Sequence, residues 1–215
     1  MNNKTIVFSG FHKYGDWLKN SSELVIERLH SQSITGVDVH SMIFDPIIPQ
    51  VTNRGEALFM LAQKVGAAGV VSLGMSSEAK GLQIVVIARN KVGGKYVPDA
   101  LAGTRISTSM TSDAPLANTS IGKWRITNFR QKCQEEKLAV ADPSYDAGGF
   151  VCNHLLWQLC AAQTEEIAVP FVFLHLPCTP ECVPDNALFE REKKITMSVD
   201  QMIRGLELLL EYAII

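Results

Sequence analysis

The sequence predicts an α/β protein with a largely parallel sheet covered by helices. Strand-like and helix-like segments alternate along most of the chain, the pattern of crossover-connected parallel strands. The strand-like segments are apolar at consecutive positions, as in strands buried on both faces. At 215 residues, 47% hydrophobic and 20% charged, the chain has enough apolar surface for a sizeable core. No internal repeat, low-complexity tract or Pro/Ser-rich linker divides it, so residues 1–215 are expected to form one domain.

The elements follow in order. Thr5–Phe8 is a short β-branched run suited to a buried strand. After the loop Gly10–Lys19, Asn20 is placed to cap a helix, with Glu23 at the position that completes a capping box. Val37–Phe44 reads as a second strand, ended by Asp45-Pro46. Gly55–Val65 carries Ala57, Leu58, Leu61, Ala62 and Val65 at helical spacing, and the strand Gly69–Leu73 follows. Leu82–Ala88 reads as one continuous apolar strand. Residues 89 to 120 are rich in Gly, Ser, Thr, Asp and Asn and read as a long loop of functional size. A helix over Thr127–Lys137, a short strand Leu138–Val140, an apolar helix Gly149–Ala162, a strand Val169–Leu176 and a helix over Ser198–Tyr212 complete the pattern.

Charge and cysteine content narrow the function. Lys and Arg total 20 against 22 Asp and Glu, a net charge of -2. That balance supplies no basic field for nucleic acid or an acidic membrane. Five cysteines are odd in number and too few for a disulfide-stapled secreted domain. The start, Met1 to Phe8, lacks the apolar stretch of a signal peptide, and no segment approaches the ~20 apolar residues of a membrane span. A reduced cytoplasmic protein is expected.

In parallel α/β sheets the chemistry sits on loops beyond the carboxyl ends of strands. Here that selects Ser9–Asn20, Gly74–Gly81, Ser144–Cys152 and His175–Glu181. In the third, a Gly148-Gly149 turn leads into a helix and places Cys152 near its N-terminus. Free amides and the helix dipole there lower a thiol pKa toward neutrality and can hold an oxyanion. Cys152 is either such a nucleophile or a small buried hydrophobe on an apolar helix. A thiol nucleophile needs a base distant in sequence. His175 closes the apolar run Val169–Leu174 at a strand's carboxyl end, whereas His154, two residues from Cys152, points off another side of the same helix. The spacing His175-x2-Cys178-x3-Cys182 resembles a zinc half-site, but no further ligand pair completes it, so no metal is expected. Phe11 and Tyr14 sit in a glycine-bearing loop with no phosphate-binding Gly-Lys-Ser/Thr. They are either walls of a small apolar pocket or ordinary core aromatics. No cofactor motif stands out.

Together, Asp146-Ala147-Gly148-Gly149-Phe150-Val151-Cys152-Asn153-His154, Phe173-Leu174-His175-Leu176-Pro177 and Ser9-Gly10-Phe11-His12-Lys13-Tyr14-Gly15 resemble segments of the pyroglutamyl peptidase I (pyrrolidone-carboxylate peptidase) family. Order and spacing agree from Ile6 to about Ile203. The resemblance implies a three-layer α/β/α sandwich and a cytoplasmic cysteine exopeptidase, often a homotetramer, that removes N-terminal pyroglutamate from peptides. It implies Cys152 as nucleophile, His175 as general base and later acid, and Phe11 and Tyr14 on either side of the pyrrolidone ring. Exposed apolar residues at Ala187–Phe189 and Tyr212–Ile215 are candidate interface residues.

One departure concerns the third catalytic member, a Glu in the family. Counting from Gly74 to Asn90 without a gap, that position is Val85. The nearest carboxylate is Glu78, and Asp146 stands beside the cysteine segment. Either is a candidate partial substitute, giving a weakened enzyme, because an imidazole without its orienting partner loses tautomer control and charge stabilisation. Lys95 stands near a point where bacterial members carry an arginine, keeping the charge without the planar fork. The competing expectations are a non-catalytic pyroglutamyl-peptide binder and a cysteine hydrolase of another small amide.

Overall fold

The structure is a computed structural model that describes residues 3–32, 34, 36–48, 53–98, 101–107, 116–117, 126–163, 169–184 and 197–212. In chain order its elements are β1 (Lys4–Phe11), α1 (Ser21–Ser31), β2 (Val37–Phe44), α2 (Arg54–Lys64), β3 (Gly69–Met75), β4 (Gln83–Val85), β5 (Ile87–Ala88), β6 (Leu116–Ala117), α3 (Ile126–Glu135), α4 (Val151–Ala162), β7 (Phe171–Leu176) and α5 (Val199–Tyr212). The main sheet runs β2-β1-β3-β7-β4; its first four strands are parallel and β4 runs antiparallel along β7.

The doubly apolar strands supply two cores. Ile6 and Phe8 of β1, Val71 and Leu73 of β3, and Val172 and Leu174 of β7 face one side. There they meet Val25, Ile26 and Leu29 of α1, Phe129 and Cys133 of α3, and Met202, Leu206 and Leu209 of α5. Val7, Val70, Phe171 and Phe173 face the other side and meet Leu58, Phe59 and Ala62 of α2 and Leu155, Leu156 and Leu159 of α4. Helices on both faces of a mostly parallel sheet make the three-layer α/β/α sandwich that was expected.

Local chemistry sets the helix ends. Asn20 accepts from the Ser22 amide at 3.0 Å and Asn53 from the Glu56 amide at 3.1 Å, each satisfying an orphan donor of the first turn. The capping box expected at Asn20 is not closed by Glu23, whose carboxylate instead meets His12 Nδ1 at 2.6 Å. At α4 the N-cap is Phe150, which makes no side-chain capping hydrogen bond, and Phe150, Val151 and Cys152 at this helix start border a cavity.

Three segments differ from expectation. Leu82–Ala88 is not one strand: β4 pairs with β7, whereas β5 pairs with β6 in a separate two-stranded sheet. The switch comes where the Val86 amide donates to Ser144 O at 2.9 Å and the Ser144 amide to Ile84 O at 2.7 Å. The backbone groups between β4 and β5 are thereby committed to residues arriving from later in the chain. Leu138–Val140 contributes only an isolated bridge, Val140 to Leu82. The long loop expected over residues 89 to 120 is, where described, two tied stretches, 89–98 and 101–107, and β6. Asn90 and Ser107 exchange hydrogen bonds at 2.9 and 2.8 Å, and Val92 N donates to Thr104 O at 2.8 Å. The interface candidates Ala187–Phe189 and Ala213–Ile215 lie outside the described residues.

Candidate active site

The carboxyl ends of β1, β3 and β7 and the start of β4 meet at one edge of the sheet, on the face covered by α2 and α4. In register, Gly74 of β3 lies beside His175 of β7, and Gln83 of β4 lies on the other side of His175. Cys152, the second residue of α4, descends onto this row. A β-carbon on Gly74 would stand 2.6 Å from the Cys152 sulfur and 3.2 Å from Phe173 Cζ, so only glycine leaves room for the thiol against the strand. The backbone makes a second close approach just before the helix. The Gly93 amide donates to Gly149 O at 2.7 Å, and a β-carbon on Gly149 would stand 2.7 Å from the Gly93 carbonyl carbon. This crossing fastens the turn before Cys152 to the loop after β5.

A cavity of about 470 Å³ opens above the row. It is lined by Phe11, Tyr14, Glu78, Lys95, Asp146, Cys152 and His175 together, so every site residue singled out in the sequence borders the same space. All four strand-end loops contribute to it. Val85 does not reach it. It is fully buried opposite Phe173, in the apolar layer beneath the site.

A model of the family described as pyroglutamyl peptidase matches residues 4–215. The chain belongs to the pyroglutamyl peptidase family. It is 27% identical over 213 residues to a pyrrolidone-carboxylate peptidase of Bacillus cytotoxicus, covering 98% of this chain and 93% of that protein. A pyrrolidone-carboxylate peptidase of Thermococcus litoralis is 23% identical over 207 residues, covering 95% and 90%. The fold matches the crystal structure of pyroglutamyl peptidase I from Bacillus amyloliquefaciens at a TM-score of 0.76, with 19% identity and 96% and 93% of the two chains covered.

Within this pyroglutamyl peptidase fold, burial decides the ionisation of the central pair. The helix N-terminus was expected to draw the Cys152 thiol toward neutrality. Burial instead pushes it up to about 12, against the weaker pull of its own backbone amide. His175, only 7% exposed, is pushed down to about 4 by burial, opposed by the negative charge of Asp146. At neutral pH the resting pair is therefore thiol and neutral imidazole. Such a pair attacks by moving the proton to the imidazole as the sulfur engages a carbonyl.

The two carboxylates considered as substitutes differ. Asp146 acts on His175 electrostatically, while its Oδ1 accepts from the Gly148 amide at 2.9 Å. Glu78 is exposed and accepts from Ser77 Oγ at 3.3 Å. His154 is buried elsewhere on α4; burial first, then the Arg54 charge, push it down to about 4, and its Nδ1 has no hydrogen-bond partner among the described residues.

The aromatic wall is larger than the sequence suggested. Tyr14 packs edge-on against Tyr96 with centroids 5.1 Å apart and lies 5.9 Å from the Phe150 ring. Gly15 permits this approach: at φ +54°, a β-carbon there would stand 2.3 Å from the Tyr96 ring. Burial holds the Tyr14 phenol well above its usual range, so it is neutral, and it donates to Met75 O at 3.4 Å. Phe11 is 1% exposed, belongs to the core on the α2/α4 side, and has the Phe44 ring 6.2 Å away. Lys95 is exposed, its ammonium 5.3 Å from the centre of the Tyr96 ring, within cation–π range. Tyr96, Phe150 and Gln83 were not singled out from sequence. Only Gln83 left a signal there, as the polar interruption of the apolar run Leu82–Ala88.

Proposed function

We propose that the protein is a cysteine exopeptidase that removes an N-terminal pyroglutamyl residue from peptides. The observation that carries this is the seating of Cys152 on Gly74, the residue registered beside His175 at the floor of the cavity. The pyroglutamyl ring is flat and uncharged, and a slot walled by Tyr14, Tyr96 and Phe150 over Phe11 suits it without a charged clamp. Lys95 stands at the rim, where the departing peptide would pass.

In this reading His175 takes the thiol proton as Cys152 Sγ bonds to the pyroglutamyl carbonyl carbon. The first-turn amides of α4 hold the oxyanion of the tetrahedral adduct. Collapse breaks the C–N bond, and His175 returns its proton to the leaving amine. Water, giving a proton to His175, then attacks the thioester; pyroglutamate leaves and the proton returns to the sulfur. Atoms and charge balance over the two steps. Asp146 steadies the imidazolium through space, and Glu78 plays the smaller part.

The apolar Val85 in place of the family's carboxylate favours the second reading, a binder of pyroglutamyl peptides that does not cleave them. One experiment separates the two. Release of a fluorescent amine from its pyroglutamyl amide, abolished by Cys152→Ser, supports the peptidase. Saturable binding of a pyroglutamyl peptide without release overturns it in favour of the binder.

A further inference from the structure

We propose that Gln83 orients His175, its side-chain carbonyl holding the imidazole in the tautomer that takes the Cys152 proton. This rests on the peptidase reading and names the residue that does the positioning in the absence of a carboxylate at Val85.

The argument starts from register. Gln83 and His175 are direct partners across the antiparallel β4–β7 pair, so their side chains leave the same face of the sheet. Their β-carbons are then roughly 5 Å apart, within reach of long side chains. Both residues line the cavity. On the opposite flank of His175 the register partner is Gly74, whose place above the sheet is taken by the Cys152 sulfur. The register thus puts the Cys152 sulfur on the β3 side of His175 and Gln83 on its β4 side.

The amide is itself held in one sense. Gln83 Nε2 donates to the Asp142 carbonyl at 3.0 Å. A carbonyl can only accept, so the NH2 end must face Asp142 and the oxygen end is left as an acceptor for a ring N–H. A ring N–H donating to that oxygen would carry the proton and leave the other nitrogen as the base, the part an orienting carboxylate plays in a triad. A neutral amide aligns the ring without matching a carboxylate's stabilisation of the imidazolium. Val85 cannot share the task, being registered with Phe173 and buried.

The same geometry accounts for the polar break in an otherwise apolar strand. A glutamine at this point of β4 costs apolar burial, and its amide nitrogen is the group that docks residues arriving before α4.

The test compares Gln83→Leu and Gln83→Glu in the full chain. The groups bordering the same cavity are Tyr14 after β1, Glu78 after β3, Lys95 and Tyr96 after β5, Asp146 before α4 and Cys152 on α4; all stay in place. With a fluorogenic pyroglutamyl amide, Gln83→Leu is expected to lower kcat roughly 10- to 100-fold with KM nearly unchanged, less than the ~10⁴ lost when a serine triad loses its orienter. Gln83→Glu should recover kcat and move the acidic limb of the rate profile to higher pH, because a carboxylate stabilises the imidazolium.

Two substrate-free readouts keep the inference separable from the peptidase reading. The pH dependence of Cys152 alkylation by iodoacetamide should shift in both variants. Nitrogen-15 shifts of the His175 ring should show one dominant tautomer in the wild type and a mixture in Gln83→Leu. Unchanged alkylation profiles and an unchanged tautomer would overturn the role of Gln83, even if the wild type cleaves the amide. A wild type that does not cleave, with both readouts shifted as expected, overturns the peptidase reading and leaves the orienting role standing. If Gln83→Leu does not fold, Gln83→Glu decides alone: an unmoved alkylation profile rejects the proposal.

Discussion

The Cys152 sulfur occupies the space where residue 74 would carry a β-carbon, 2.6 Å from that point. Gly74 is registered beside His175, so its missing side chain is what brings the helix-borne thiol to the histidine strand. Gly74→Ala is expected to keep the fold, because a sulfur can rotate away more easily than backbone can move. The displaced thiol should lose attack geometry, lowering kcat by about 100-fold or more with a fall in Tm of only a few degrees. Steady-state kinetics beside a melting curve checks both halves; unchanged kcat would show that the contact has no part in alignment.

Asp146 supplies the opposing charge that keeps His175 from falling further below its ordinary range. Asp146→Asn should therefore lower the His175 pKa and move the acidic limb of activity to lower pH, with slower turnover as imidazolium support is lost. Glu78→Gln, at an exposed residue hydrogen-bonded to Ser77, should change the profile little. Parallel pH–rate curves distinguish them, and two unmoved curves would remove carboxylate support from the mechanism.

Acid should destabilise the fold through its buried imidazoles. His154 and His175 are both held at about 4 against an ordinary 6.5. The unfolded chain takes up these protons as pH falls below about 6.5, while the native state resists until about 4. Their contribution is thus full above 6.5 and lost across this window, up to about 3 kcal/mol for each group. Urea unfolding at pH 7 and pH 4.5 should show the loss, and His154→Gln should reduce it. A stability that stays level over that range would refute the buried-neutral assignment.

Asn153 holds the loop that carries Lys95 and Tyr96. Its Oδ1 accepts from the Arg89 amide at 2.8 Å and its Nδ2 donates to Arg89 O and Lys91 O, both at 2.9 Å. Asn153→Ala should cost about 2–4 kcal/mol, since it strands buried backbone groups. The loosened loop should also raise KM more than it lowers kcat. Denaturant titration gives the first number and substrate saturation the second.

Much of the site was readable because its parts are local. The Gly148-Gly149 turn, the helix start at Cys152 and the strand end at His175 each follow from a few neighbouring residues, and the strand-end rule placed them on one edge of the sheet. The Cys152 thiol was left open between two readings because the helix terminus is visible in sequence and the burial that outweighs it is not. Burial depends on what Gly74, Phe173 and Tyr14 place around the sulfur.

Sequence order and periodicity were enough for the α/β class and the helical layers, since those depend on local patterning and on the handed rules of parallel sheets. They made Cys152 and His175 candidates, and only the family resemblance gave the two their roles. Tertiary structure alone decided that Leu82–Ala88 divides between two sheets, that Val85 points into an apolar layer, and that Gln83 stands across from His175. Strand direction and register are set by which distant backbone groups are satisfied, here those of Ser144 and Phe173. Because side chains alternate along a strand, a one-residue change of register would have turned Gln83 away from the site.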